Sequence, residues 1–309
     1  MRGMLEGRWS NELQKEDLPA DFGNRMVQHH APSDNFPAEN GRYYLYASYA
    51  CPWAHLTILA RTLLGLEDSV PLIATDPWLD PLHGWWFPNE EPLQNKKFLH
   101  ELYALSDSNF TGRVTVPVLW DSHTRKIVQN YSTGIMRIFE FGFTNLRKND
   151  RALLPKNRAK EIHQESVRIL EDITYRVYDV GHSSTQTEYE KNLNLFYDAL
   201  DKYDQRLRTQ SYLLGEELSE CDLRFFVTLI RFDCAYYGVF LCNYKRVAEY
   251  PALQAYLERI YALPHIAGTV RFDEIRTHYF DDDAYINRSS AKQGRYIVPV
   301  GPQNPIEQS

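Results

Sequence analysis

Residues 44–66, YLYASYACPWAHLTILARTLLGL, change their structural period within a few positions. Aromatic and branched side chains suited to a pleated strand lead up to Ser48. Apolar residues at three- and four-residue spacing then run from Trp53 to Leu64, with Gly65 as a C-cap. Cys51 and Pro52 stand at the changeover. Proline suits a first helical turn because its missing N–H would be unpaired there anyway. That puts Cys51 where unpaired amides and the positive end of the helix dipole favour an anion. Thiols so placed ionise with pKa values of about 3.5–7.5. Ala54 makes the pattern C-x-x-A, one thiol with no resolving partner, suited to a mixed disulfide with an outside thiol. The competing reading of Cys51 is a small buried residue, the common state of free cysteine. Cys221, Cys234 and Cys242 lie in helical apolar patterns, and burial is the reading for them. Cys234 and Cys242 have no second ligand pair, so no metal site is expected.

The order of elements around this junction narrows the fold. VPLIAT at 70–75 reads as a second strand, and 76–112, rich in Pro, Gly and Trp, as a functional loop rather than a packed element. VTVPVLWD and KIVQN form a hairpin across SHTR, followed by a helix from Tyr131 to Phe141. From residue 151 long 3.6-period segments dominate, at 156–178, 187–209, 219–239 and 251–262, and the last forty or so residues look like a tail. Strand–helix–strand, hairpin and helix is the thioredoxin-like arrangement, and the helical half makes it similar to a glutathione transferase. The expected fold class is thus an α/β thioredoxin-like N-terminal domain plus an all-α C-terminal domain, the glutathione S-transferase fold. The expected divisions are 1–40, an N-terminal extension; 41–150, the thioredoxin-like domain; and 151–309, the helical domain with its tail.

Pro117 opens a strand although proline cannot donate to a ladder. A trans edge-strand proline is one reading. In thioredoxin-like folds such a proline is cis and faces the cysteine, which leaves the backbone of the residue before it, here Val116, to pair with a bound peptide. With Cys51 upstream, a cysteine-containing peptide is expected, glutathione being the common one. Length and charge agree with a soluble two-domain protein. The chain has 309 residues, and its net charge of −7 comes with scattered Lys and Arg, so neither nucleic acid nor an anionic membrane is favoured as a partner. No apolar run is long enough for a membrane span and no secretory leader is visible, so a cytoplasmic location with reduced thiols is expected.

Taken in order, YASYACPWAH, HGWWF, FLHELYALSDSNFTGRVTVPVLWD, RVYDVG, YLLGEELSECDLRFFVTLIRFD, YGVFLCN and IRTHYF resemble one family, from about Arg42 to about Tyr279. It is the glutathionyl-hydroquinone reductases, the Xi class of glutathione transferases. The resemblance implies that Cys51 is the nucleophile and that Tyr178 delivers a proton to the substrate ring. It also implies that Tyr236 and Tyr279 help hold the thiolate. Trp85, Arg113, the Val116 backbone and Ser132 match the glutathione positions, with Ser132 holding the γ-glutamyl carboxylate at a helix start. An ordinary N-cap is the alternative reading of Ser132. Glutathione as co-substrate, an aromatic small-molecule substrate and a homodimer are implied with them.

Three positions depart from the family pattern. An acidic residue usually precedes the serine, where this chain has Tyr131; a second acid is replaced by Gly134; and the usual Arg after CPWAH is Leu56. A carboxylate at residue 131 would pair with the α-amino group of glutathione, and losing that bond costs about 1.5–3 kcal/mol. The departures imply weaker glutathione binding or a shifted choice of thiol. Two further readings stay open: a conjugating or thioether-cleaving transferase acting on an aromatic metabolite, and a non-catalytic transferase-like binding protein.

Overall fold

In the computed structural model, which describes residues 1–24 and 26–281, the chain divides into two units, Met1–Arg151 and Ala152–Ser309. The first forty residues fall within the first unit. There, β1 (Gly3–Leu5) and β2 (Arg8–Ser10) form an antiparallel hairpin. Met4 is buried and exchanges both backbone hydrogen bonds with Gly112, at 2.9 and 3.0 Å. The His29 N–H donates to Val128 O at 2.8 Å. Three-residue strands are too short to show a period, which is why this segment reads as polar coil.

The sheet of the first unit grows from β3 (Tyr43–Ala47), whose aromatics suit a buried pleat. After it come α1 (Pro52–Leu63), β4 (Leu72–Ala74), α2 (Leu99–Ser106), β5 (Val118–Asp121) and β6 (Lys126–Gln129). Strand order is β4-β3-β5-β6, with β3–β4 parallel and the other two pairs antiparallel. The parallel pair needs a crossover connection, and α1 supplies it. Helix α1 is buried on nearly every side, from Pro52 and Ala54 through Leu59, Ala60 and Leu63. Such a helix reads as apolar all round rather than amphipathic. Gly65 closes it at φ +66°, a left-handed conformation that suits glycine, and a Cβ there would meet Lys148 Cβ at 2.8 Å.

Within 76–112, expected as loop, the structure places α2. Its buried face is only Leu99, Leu102 and Tyr103, a pattern too brief to stand out among the surrounding Pro and Trp residues. Glu101 starts the helix by accepting the N–H groups of Lys97 and Phe98, each at 2.9 Å. A further helix, α3 (Ser132–Arg137), continues into a π-helical turn at Ile138–Gly142.

The second unit is helical throughout its described part: α4 (Ala159–Ile169), α5 (Tyr175–His182), α6 (Gln186–Leu207), α7 (Glu220–Arg231), α8 (Tyr237–Val239), α9 (Pro251–Tyr261) and α10 (Phe272–Arg276). Ser219 and Asp222 build a capping box at the head of α7, while Tyr256 on α9 donates to Asp222 Oδ1 at 3.1 Å. Asp222 is fully buried, and burial raises its pKa above the usual carboxylate value despite the N–H and hydroxyl donors around it. Three π-helical turns interrupt these helices, at Leu170–Thr174, Phe232–Tyr236 and Thr277–Asp281. Of the last forty or so residues, expected as tail, Phe272–Arg276 form α10 and Thr277–Asp281 a π-helical turn, a correction, since five-residue elements carry too short a period to read; those past Asp281 lie outside the described residues. Among the described residues no helix is long and apolar enough to cross a membrane.

Candidate active site

Cys51 is the N-cap of α1, with extended backbone at φ −75° and ψ 122°. Its carbonyl accepts the His55 N–H at 2.9 Å, the first bond of the helix, and its side chain makes no capping bond. The thiol sulfur is thus left beside the helix start. Sγ lies 4.0 Å from Val116 O, and the Val116–Pro117 peptide is cis. Cys51 is buried, the residue being 7% exposed, so burial and a place at the helix start hold together. Cys221 and Cys242 are fully buried and have their pKa values pushed well above the ordinary thiol range by that burial; Cys234 is buried too.

Two residues of α2 brace this region. The Leu99 N–H donates to Trp85 O at 2.9 Å, fixing the backbone of the candidate glutathione-packing tryptophan. Tyr103 Oη donates to Thr115 O at 2.8 Å and accepts from Asn130 Nδ2 at 2.9 Å. Thr115 precedes Val116, and Asn130 precedes Tyr131 and Ser132, so one buried phenol ties together both candidate peptide-binding segments. Trp85 is buried and Arg113 exposed. Ser132 is buried at the first position of α3, and the N-cap is Tyr131, so the ordinary N-cap reading of Ser132 is corrected. The Tyr131 ring is 42% exposed and its N–H donates to Gln129 Oε1 at 3.1 Å.

In the second unit, Tyr178, Tyr236 and Tyr279 form one hydroxyl cluster. Tyr279 Oη is 2.8 Å from Tyr178 Oη and 3.1 Å from Tyr236 Oη, so the middle hydroxyl is shared between two partners. Tyr236 ends the π-helical turn Phe232–Tyr236, Tyr279 lies in Thr277–Asp281, and Tyr178 stands a helical turn past Leu170–Thr174. A π turn inserts a residue into the helix and re-aims the side chains around it, and such turns gather at functional sites. Sequence reading missed these turns, which have no signature in a single chain. It also missed Phe240, whose ring lies 4.9, 5.4 and 6.0 Å from those of Tyr178, Tyr236 and Tyr279.

Phe240 rests on Gly181 of α5. A Cβ added at Gly181 would come within 2.2 Å of Phe240 Cδ1 and 2.7 Å of its Cβ, so the whole side chain, not its tip, would have to shift. Gly181→Ala is therefore expected to destabilise the second unit by about 1–3 kcal/mol through overpacking, more than the roughly 1 kcal/mol it gains in helix propensity. A thermal melt with near-ultraviolet circular dichroism of the tyrosines reads this; a variant as stable as the parent with unchanged aromatic signal would refute it.

Residues 50–140 match the N-terminal domain family of glutathione S-transferases, and residues 186–259 match the C-terminal domain family. The chain is 33% identical to the glutathionyl-hydroquinone reductase PcpF of Sphingobium chlorophenolicum, an alignment covering 98% of this chain and 97% of that protein. It is 35% identical to the glutathionyl-hydroquinone reductase YqjG of Escherichia coli, over 93% of this chain and 88% of YqjG. The chain belongs to the glutathionyl-hydroquinone reductases, the Xi-class glutathione transferases. Solved Xi-class and related structures superpose closely. The Xi-class transferase of Natrialba magadii does so at TM-score 0.86 with 34% identity, covering 98% of this chain and 93% of that one. Glutathione-bound YqjG does so at 0.83 with 32% identity, covering 99% and 97%.

Set against the Xi-class pattern, the three departures take on shape. Leu56 is buried in α1, where a charged side chain would need a partner. Gly134 lies under Gln129: a Cβ at residue 134 would come within 2.5 Å of both Cδ and Nε2 of that glutamine. The empty position is filled from the side by a neighbour.

Proposed function

We propose that this chain is a glutathione-dependent reductase of glutathionyl-hydroquinones or related glutathionylated aromatics, acting through a Cys51–glutathione mixed disulfide. The Cys51 thiolate attacks the glutathionyl sulfur of the substrate. The sulfur–ring bond breaks, a proton goes to the ring carbon that loses sulfur, and the hydroquinone leaves. A second glutathione thiolate then attacks the mixed disulfide, giving oxidised glutathione and free Cys51. One thioether and one thiol become one ring C–H and one disulfide, so the electrons balance without an outside reductant.

Membership of a reductase family over nearly the full chain carries the reaction class. The thiol of Cys51 beside the α1 start, 4.0 Å from the Val116 carbonyl, supports it as nucleophile. Tyr178 is assigned the proton delivery. Its Oη is hydrogen-bonded to Tyr279 Oη, so a proton lost can be replaced along the cluster. Tyr236 and Tyr279 are assigned to stabilising charge during thiol exchange. Trp85, Arg113, the Val116 backbone and Ser132 are assigned to glutathione: Arg113 as an exposed guanidinium for one carboxylate, and Ser132 for the γ-glutamyl head. A homodimer comes with the resemblance alone.

The deciding experiment is mass spectrometry of the protein after incubation with glutathionyl-menadiol. The expected outcome is one added glutathionyl group, mapped to Cys51; a protein that releases the hydroquinone without that adduct, under trapping of the intermediate, would overturn the mechanism. Tyr178→Phe is expected to lower hydroquinone release by about a hundredfold while leaving the reaction of Cys51 with oxidised glutathione unchanged, since that exchange protonates no carbon. Equal losses in both reactions would remove Tyr178 from the proton-delivery role.

A further inference from the structure

The N-terminal hairpin grips the rest of the first unit at two places, each one residue ahead of a residue assigned to glutathione. Met4 on β1 and Trp9 on β2 are cross-strand partners. Met4 exchanges both backbone hydrogen bonds with Gly112, the residue before Arg113. Trp9 covers Gly84, the residue before Trp85: a Cβ at Gly84 would meet Cη2 of the indole at 3.0 Å and Cζ2 at 3.4 Å. Gly84 stands at φ +76°, a left-handed conformation that suits glycine, so the turn has no side chain of its own to pack there.

Trp9 also joins the two stretches of chain that flank Trp85. On one side is the turn Asp80–Gly84, closed by backbone hydrogen bonds in both directions, at 3.1 and 2.9 Å. The Trp9 Nε1–H donates to Leu82 O at 2.7 Å, and an Arg2 terminal N–H donates to Asp80 O at 3.1 Å. On the other side is α2. The indole stacks on His100, with ring centroids 4.9 Å apart and planes 12° from parallel, and the His100 Nδ1–H donates to His83 O at 3.1 Å. His100 follows Leu99, whose N–H holds Trp85 O. The carbonyl of Trp85 is thus fixed by α2, and the peptide that enters it is fixed by a turn lying under the half-buried Trp9.

We propose that Trp9 is a positioning residue for glutathione binding: by covering Gly84 and tying the Asp80–Gly84 turn to α2, it holds Trp85 ready to pack on the tripeptide. The inference rests on the assignment of Trp85 to glutathione made above. A side chain that must be ordered as the ligand arrives lowers affinity by the cost of ordering it. The contacts of Trp9 are with the 80–84 turn and α2, and Cys51 stands at the head of α1, so the loss is expected in binding and not in the reactivity of the thiol.

The test is a double-mutant cycle on the full chain, read by calorimetry with S-methylglutathione, which cannot exchange disulfides. Trp9→Ala and Trp85→Ala are each expected to weaken binding about tenfold. Because Trp9 acts through Trp85, the double variant is expected to bind within about twofold of Trp85→Ala. The rate at which iodoacetamide alkylates Cys51, and its pH profile, are expected to stay within about twofold of the parent in Trp9→Ala, which a general loosening of the unit would not allow. Arg8→Ala, on the exposed side of the same strand, is the control and is expected to bind as the parent does. Should Trp9→Ala fail to fold, the cycle is run with Trp9→Phe, which keeps a ring for His100 but loses the Leu82 bond and is expected to bind about threefold more weakly. The inference is overturned by a folded Trp9 variant that binds as tightly as the parent, by losses that multiply in the double variant, by an equal loss in Arg8→Ala, or by a shifted alkylation profile. Weak binding by Trp85→Ala with none by the Trp9 variants would sink this inference alone; a Trp85→Ala chain that binds like the parent would remove the Trp85 assignment itself.

Discussion

Cys51→Ser is expected to lower the reduction of glutathionyl-hydroquinones by at least about a thousandfold, because the reaction needs an atom that can form and release a bond to sulfur. A serine hydroxyl stays protonated at neutral pH and makes no disulfide. The fold is expected to survive, since the Cys51 side chain makes no capping bond and the exchange of sulfur for oxygen is small. Melting temperatures of the two proteins should therefore agree closely. The same variant separates the reductase from a conjugating transferase. Attack of a free thiol on carbon does not pass through the protein's own sulfur, so conjugation would be spared or improved by serine. Product release followed by chromatography, with glutathionyl-menadiol as substrate, reads the first activity, and a chloronitrobenzene assay reads the second. Retained reduction in Cys51→Ser would remove the mixed-disulfide mechanism.

Asp121→Ala is expected to cost about 3–5 kcal/mol of stability in the first unit, a lowering of its melting temperature on the order of 10 °C. Asp121 is fully buried at the end of β5. It accepts Arg42 Nε at 2.8 Å and an Arg42 terminal N–H at 2.6 Å, together with the His123 N–H at 3.0 Å and the Thr124 hydroxyl at 2.8 Å. One carboxylate thereby joins the entry of β3 to the β5–β6 turn, and removing it leaves a buried guanidinium with only Glu39 at 3.3 Å and the Asn35 carbonyl at 2.9 Å as hydrogen-bond partners. Burial by itself would raise the Asp121 pKa, but the Arg42 fork and the Thr124 and His123 donors outweigh it and hold the carboxyl below its usual value. A folded pKa below the unfolded one means that the stabilisation is fully present above about pH 4 and is lost as pH falls through the folded value. The parent should thus lose stability in acid more steeply than Asp121→Ala. Melting curves from pH 7 to pH 2.5 check both points; parallel curves, or a variant within 1 kcal/mol of the parent at pH 7, would show that the pair contributes little.

Some of this molecule can be read from residues in line. The shift from strand to helix around Cys51 is a change of period over a dozen positions, and Pro52 marks the first turn. Helices such as α6 and α7 declare themselves through apolar spacing, because each turn depends on neighbours three or four residues away. Helix α2 was not legible, because its buried face is three residues and its anchoring comes from Trp85 and Thr115, reached through space. The N-terminal hairpin was not legible either, since strands of three residues hold no pattern and Met4 is fixed by Gly112, more than a hundred positions on.

The candidate site residues were named from a resemblance of motifs, and three of them, the tyrosines of the second unit, meet through their hydroxyls. Tyr178 and Tyr279 are 101 positions apart, and Tyr236 and Tyr279 are 43 apart, so no local rule could show that one hydroxyl serves both. The π-helical turns that aim them arise from packing, not from a residue signature.

The amino-acid sequence by itself determined that a thiol stands at a helix start at residue 51, and the kind of helix or strand on either side, because a helix dipole, a proline and an apolar period act over a few residues. Only the tertiary structure decided that the Tyr279 hydroxyl meets those of Tyr178 and Tyr236 and that the Gln129 amide occupies the space above Gly134. Those are contacts between groups that the chain itself does not place side by side, and they depend on how closely packed backbones leave or close a gap of one methyl group.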